Sequence, residues 1–264
     1  MIRIQTIPCL SDNLSYLLID DDDRSCVIID PSEASPFLSE IKSQNLKLKA
    51  ILATHHHYDH IGGLSELPPV PVGSSKRDRD RIPGAAGGGP RFTMADGETV
   101  TWGSLGEEER TPPDSSATLP SITALEIPGH TEGQLAYVLR SKSGVDVFVG
   151  DTLFSLGCGR CLEGTPEQLF LSLQKIKSLP PQSRIHFGHE YTEKNALFWL
   201  SRGSTEGDHS LIDRVAIQSK LARATQSREP RKAPTLESEV NLNPFLRTKD
   251  ASEFRRWREL RNRF

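Results

Sequence analysis

Cysteine is scarce in this chain. Cys9, Cys26, Cys158 and Cys161 are the four in 264 residues, too few to staple a chain of this length, so stability has to come from a buried core. Long apolar runs are missing as well. None approaches the roughly 18 residues that a membrane span needs, and the opening MIRIQTIPCLSDN has neither an apolar signal core nor a small-residue cleavage site. The expectation is a reduced, cytoplasmic protein with no membrane partner. A charge excess is absent too. The formal net charge of −3 gives no overall drive toward nucleic acid, which disfavours a nuclease with a broad basic surface. No internal repeat of 20–50 residues is evident.

What the chain does have is a series of short apolar runs ending in polar or glycine-containing turns: MIRIQTI, LSYLLID, SCVIID, KAILAT, ITALEI, QLAYVLR, VDVFVG and RIHFG. These read as strands, with DDDR at 21–24 as a hairpin turn. PFLSEIKSQ near residue 36 reads as a helix. A clearer one follows Gly164, where Thr165 caps, Pro166 suits the first helical position, Gln168 completes a capping box, and Leu169, Leu173 and Ile176 repeat at helical spacing up to Pro180. Residues 73–118, rich in Gly, Pro, Ser and charge, read as surface loop with two short strands. The organisation expected is an α/β body over 1–164, to which a later strand at 183–190 returns, and a mainly helical part over 165–264.

The densest signal is THHHYDHIGG at 54–63, directly after KAILAT. In extended chain His55 and His57 point the same way, because side chains alternate with period two. As the chain turns into a helix, Asp59 and His60 can face a second nearby point. His56 and Tyr58 alternate away and are left out of the ligand set. Gly62 and Gly63 allow a tight turn or a close backbone approach. Three more ligand-type residues stand at strand ends: His130 in IPGHTEG, Asp151 in GDTLF and His189 in FGHEY. Rigid elements can present such residues to a shared site. Five histidines and two aspartates suit two Zn, Fe or Mn ions with positions left for water.

In motifs and in their order, THHHYDH, PGHT, GDTLF and GHEYT resemble the metallo-β-lactamase superfamily, and within it the glyoxalase II, or hydroxyacylglutathione hydrolase, family. The resemblance implies a four-layer αββα sandwich followed by a helical substrate-binding domain. It implies that His55, His57 and His130 hold one metal, that Asp59, His60 and His189 hold the other, and that Asp151 bridges them. Asp59 and Asp151 then stand nearest the chemistry, in which a water activated between two divalent cations, zinc first and iron or manganese as alternatives, attacks the thioester of S-D-lactoylglutathione.

The same resemblance implies the substrate contacts. Arg160 in GCGRCLEGT matches a basic position that touches glutathione, while Leu162 replaces a tyrosine found in some members. Tyr191 matches a second contact. Arg258 and Arg261 align with an Arg-x-x-Lys pair that binds the glycine carboxylate, and arginine there keeps the charge. The competing reading of this tail is an amphipathic helix docked through Phe254, Trp257 and Leu260. Cys158 and Cys161 form a lone C-x-x-C read as loop residues; His186 and His209 read as structural or exposed.

Related chemistries are weighed against this one. A β-lactamase is disfavoured by the missing export signal and by Asp151, where such enzymes commonly place cysteine. A persulfide dioxygenase, an iron oxidoreductase of the same superfamily, lacks the long helical part that continues from 190 to 264 here. The reading is a monomer acting on a small glutathione thioester.

Overall fold

The computed structural model describes residues 1–107, 120–202, 213–226 and 232–264. All eight apolar runs form strands. Strands β1 (Ile2–Cys9), β2 (Asn13–Asp20), β3 (Ser25–Ile29), β4 (Lys47–Leu52), β5 (Val72–Ser74) and β6 (Arg91–Thr93) make one sheet in that order. A second sheet runs β13 (Arg184–His186), β10 (Gly144–Phe148), β9 (Leu135–Ser141), β8 (Ser121–Glu126) and β7 (Thr99–Thr101). A small hairpin, β11 (Leu153–Phe154) and β12 (Gly157–Cys158), stands beside them.

Side-chain parity stacks the sheets. Leu18, Val27, Ile29, Ala50 and Leu52 from the first sheet share one apolar layer with Ile122, Ala124, Tyr137, Leu139 and Phe148 from the second. Their alternating neighbours, Leu17, Ile19, Ile28 and Ile51, face outward onto Phe37 of α1 (Ser35–Ser43) and Ile61 of α2 (Tyr58–Ile61). On the far side of the second sheet, Val138 and Val147 pack against Leu169, Leu173 and Ile176 of α3 (Pro166–Lys177), Phe198 and Trp199 of α4 (Thr192–Ser201), and Phe254 and Trp257 of α8 (Ala251–Asn262). The layers therefore read helix, sheet, sheet, helix. Helices α5 (Arg214–Gln226), α6 (Leu236–Leu242) and α7 (Pro244–Arg247) complete the C-terminal part.

The capping box of α3 is present, with the Thr165 hydroxyl accepting from the Gln168 amide and the Gln168 side chain accepting from the Thr165 amide. β13 pairs parallel with β10 and so brings the chain beyond 183 back to the catalytic body. The 73–118 segment contains β6 and β7, and β5 straddles its start, one short strand more than expected; its residues 108–118, like His209, lie outside the described residues. No helix among the described residues is long and apolar enough to cross a membrane.

Candidate metal centre and its cleft

β4 ends at Leu52, the chain bends at Thr54 and His55, and His57 is extended before α2 begins. Asp30 fixes this exit. It follows β3 with a positive φ of 53°, and its carboxylate accepts from the Thr54 amide and hydroxyl, both at 2.7 Å. The second glycine of the motif permits a close approach: a Cβ on Gly63 would lie 2.6 Å from the Ala34 nitrogen. His56 turns away, its Nδ1 lying 3.1 Å from Asp78 and its Nε2 3.4 Å from Glu163. Tyr58 is 81% exposed.

The seven expected ligands converge. His57 Nδ1 lies 3.0 Å from His55 Nε2 and 3.1 Å from His130 Nε2. Nitrogens held 2.0–2.1 Å from one tetrahedral ion would be roughly 3.3 Å apart, so the three already point at one centre. Asp59, His60 and His189 form a second group of candidate ligand atoms, with His189 Nε2 at 3.3 Å from Asp59. Asp151 reaches both groups: one oxygen is 3.3 Å from His60 Nε2, and the other is 3.5 Å from His130 Nε2 and 3.4 Å from His189 Nε2. His60 Nε2 and Asp151 Oδ1 are buried with no hydrogen-bond partner, which is costly for polar atoms in a protein interior and what a pair of inward-facing metal ligands would show. The donor set fits divalent cations.

The outer nitrogens explain the aim of the rings. His130 Nδ1 donates to the Arg160 carbonyl at 2.8 Å, His60 Nδ1 pairs with Asp30 at 2.9 Å, and His189 Nδ1 pairs with Asp12 at 3.0 Å. The Thr54 hydroxyl gives its proton to Asp30, so it accepts from His55 Nδ1 at 3.0 Å. In all four rings Nε2 is left facing the centre. Asn13 closes the second group: its side chain donates to the Asp59 carbonyl and carboxylate at 2.9 and 3.1 Å, and its backbone bridges to His189. A Cβ on Gly188 would come 2.4 Å from Asp151 Oδ1, so only glycine fits beneath that carboxylate.

Charge divides the two groups. Burial lowers the pKa of His55 and His130 and takes His57 down to about 4, leaving three neutral donors. In the second group burial opposes charge on His60 and His189, but carboxylates outweigh it. Asp151 and Asp30 hold His60 well above its ordinary value, and Asp151 with Asp59 raises His189 to about 10. Asp59 is lowered, first by its hydrogen bond from His189. For Asp151 burial alone would raise the carboxyl, and His60 and His189 pull it well below the usual range. Cations bound among these carboxylates would take over the compensation that the imidazolium protons provide.

A cleft of about 420 Å³ opens from the metal centre and is lined by all four expected substrate contacts, Arg160, Tyr191, Arg258 and Arg261. Tyr191 stacks on His189 at 4.8 Å, and Arg160 is exposed. Arg258 is 4% exposed and donates to the Cys158 and Gly159 carbonyls at 2.7 and 3.3 Å. Arg261 donates to Asn195 at 3.3 Å. Phe254 and Trp257 dock α8 in the core, while Arg258 and Arg261 line the cleft. Cys158 is not a loop residue: it sits buried on β12, its thiol pushed up to about 11 by burial, and no thiolate is poised there. His186 is buried against Phe148 and bonded to Asp146.

Asp12, Asp30, Lys194 and Asn195 escaped the sequence reading. The first two are single carboxylates beside strand ends, a signal too common to stand out. Asn195 and Lys194 follow Tyr191 on α4, which the sequence alone did not place beside the metals.

Comparison with known proteins agrees with this geometry. Residues 11–189 match the family model of the metallo-beta-lactamase superfamily. Over 99% of this chain and 100% of its own length, a hydroxyacylglutathione hydrolase from Pelagibacter ubique is 36% identical. One from Bdellovibrio bacteriovorus is 38% identical over 99% of this chain and 98% of its own length. Among solved structures, the B3 metallo-beta-lactamase BLEG-1 superposes with a TM-score of 0.65 at 20% identity, covering 93% of this chain and 100% of its own. ETHE1 from Myxococcus xanthus gives 0.62 at 22% identity, covering 98% and 90%. These two likenesses speak for the fold alone. The chain belongs to the metallo-β-lactamase superfamily and, within it, to the hydroxyacylglutathione hydrolases.

Proposed function

We propose that this chain hydrolyses S-D-lactoylglutathione and related S-2-hydroxyacylglutathiones to glutathione and the free 2-hydroxy acid, as a cytoplasmic monomer in methylglyoxal detoxification. The observation that carries the reading is the pair of three-ligand groups joined by Asp151 at the head of a cleft lined by arginines. His55, His57 and His130 would hold one divalent cation, Asp59, His60 and His189 a second, and Asp151 would touch both; zinc suits the shell, as do iron and manganese. Bound there, such cations supply Lewis acidity, lowering the pKa of water from about 15.7 toward neutrality and stabilising charge on a carbonyl oxygen.

The chain's own residues do the rest. Asp30, Asp12 and Thr54 hold the imidazoles in the tautomer that turns a lone pair inward. Asp59 and Asp151 provide the negative charge that keeps cations in place. Tyr191, fixed by its stack on His189, and the three arginines orient an anionic substrate so that its thioester lies over the metal centre. Water adds to the thioester carbon and releases its protons to solvent, the C–S bond breaks, the sulfur leaves as a thiolate, and the 2-hydroxy acid leaves as its carboxylate. A thiol of pKa near 8.5 leaves readily, which is why the cleft needs no dedicated general acid.

Purified protein freed of metal by chelation should not cleave S-D-lactoylglutathione, and added Zn, Fe or Mn should restore cleavage. Fully metallated protein that leaves the thioester intact would overturn the proposal.

A further inference from the structure

The cleft holds four cations, and their surroundings divide them. Arg258 and Arg261 already donate to protein acceptors, and with Arg160 they crowd one another, so that burial and the two neighbouring guanidiniums lower the pKa of Arg261. Lys194 stands apart from this group. Its ammonium lies 4.9 Å from the centre of the Tyr191 ring and 3.3 Å from Asp12, on a side chain 65% exposed. An ion pair so open to water holds its partners weakly, and a carboxylate entering the cleft can share that ammonium. Asp12 is anchored on its other oxygen by His189 Nδ1 and lines a neighbouring cavity, so what the pair offers the cleft is the mobile ammonium.

A glutathione thioester has a carboxylate at each end, and the one on the γ-glutamyl side carries an α-ammonium on the same carbon. The arginine group and Lys194 give the cleft two cationic points for those two carboxylates. We propose that Lys194 is a specificity-determining residue that binds the γ-glutamyl carboxylate, while the arginine group takes the glycine carboxylate. The assignment rests on the thioesterase reading and adds to it a second recognition point beside Tyr191.

The test compares S-D-lactoylglutathione with S-D-lactoyl-cysteinylglycine, which lacks the γ-glutamyl group, on metal-loaded full-length protein. The wild-type preference for the full substrate, read as a ratio of kcat/KM values, should fall on the order of tenfold in Lys194→Glu through KM, the size of one charge-assisted contact, and return in Lys194→Arg. A ratio unmoved by Lys194→Glu overturns the assignment. So does an equal loss of kcat on both substrates, which would place Lys194 behind Asp12 and His189 instead. Calorimetry with S-methylglutathione separates the two claims. Wild type that binds it, with binding about tenfold weaker in Lys194→Glu, supports the recognition even if no thioester is cleaved; wild type that neither binds nor cleaves sinks both.

Discussion

The two ends of the cleft are built on different principles. At the metal end, four imidazoles are each held from behind by a named acceptor; His55, His130 and His189 follow strands, and His60 stands on the short helix α2. At the helical end, cations come from α4, α8 and the Gly159–Gly164 loop, and they range from the buried Arg258 to the exposed Arg160. One end is rigid because the protein holds four of its rings from behind. The other grades from Arg258, bonded to main-chain carbonyls, to the exposed Arg160. Chemistry is fixed and recognition is adjustable.

The sharpest way to break this contrast is at the residue common to both ligand groups. Asp151→Ala should cut kcat by roughly a thousandfold or more and lower the bound metal measured by elemental analysis. Near-normal turnover at full occupancy would remove Asp151 from its role. A smaller effect is expected one layer out. Asp30→Asn leaves all seven ligands in place but loosens His60 and Thr54 together, and metal affinity measured against a competing chelator should fall about 10- to 100-fold. An unchanged affinity would show that the strand end aims the rings without help.

The helical end separates two arginines by burial. Arg258→Ala strands the Cys158 and Gly159 carbonyls and should cost about 1–3 kcal/mol in thermal or denaturant unfolding. Arg160→Ala should change stability by less than about 0.5 kcal/mol, while both raise KM. Equal stability losses would contradict the division between held and free cations. Smallest is a pH effect on protein stripped of metal. His189, raised from 6.5 to about 10, contributes stability that is complete below pH 6.5 and is lost as pH climbs toward 10. Asp59 and Asp151, both depressed, contribute stability that is lost as pH falls below 3.8. The unfolding temperature of metal-free protein should therefore peak between these limits and fall on the alkaline side, whereas metal-loaded protein should not show the alkaline fall.

The candidate metal end was readable in the sequence because its ligand-type residues are dense. His55 and His57 converge just past β4 although the chain bends at Thr54 and His55, and His130, Asp151 and His189 each mark where an apolar run stops. The supporting carboxylates were not readable. Asp30 closes SCVIID like any acidic residue before a turn, and only the parallel pairing of β3 with β4 puts it beside Thr54. The tail showed a similar limit. The spacing of Arg258 and Arg261 puts them near one helix face, but nothing in it says that one guanidinium turns inward to main-chain carbonyls while the cleft still reaches both.

The backbone bridge between Asn13 and His189 has a consequence for how the chain folds. It joins positions most of the catalytic body apart in sequence, and contacts of that separation are slow to form because a long loop must close first. The second ligand group is thus complete only after the first hairpin and β13 have met. Metal captured by that group should register late in refolding, after β4, which leads into His55 and His57, has paired with β3, so the rate of metal uptake offers a clock for the last closure of the fold.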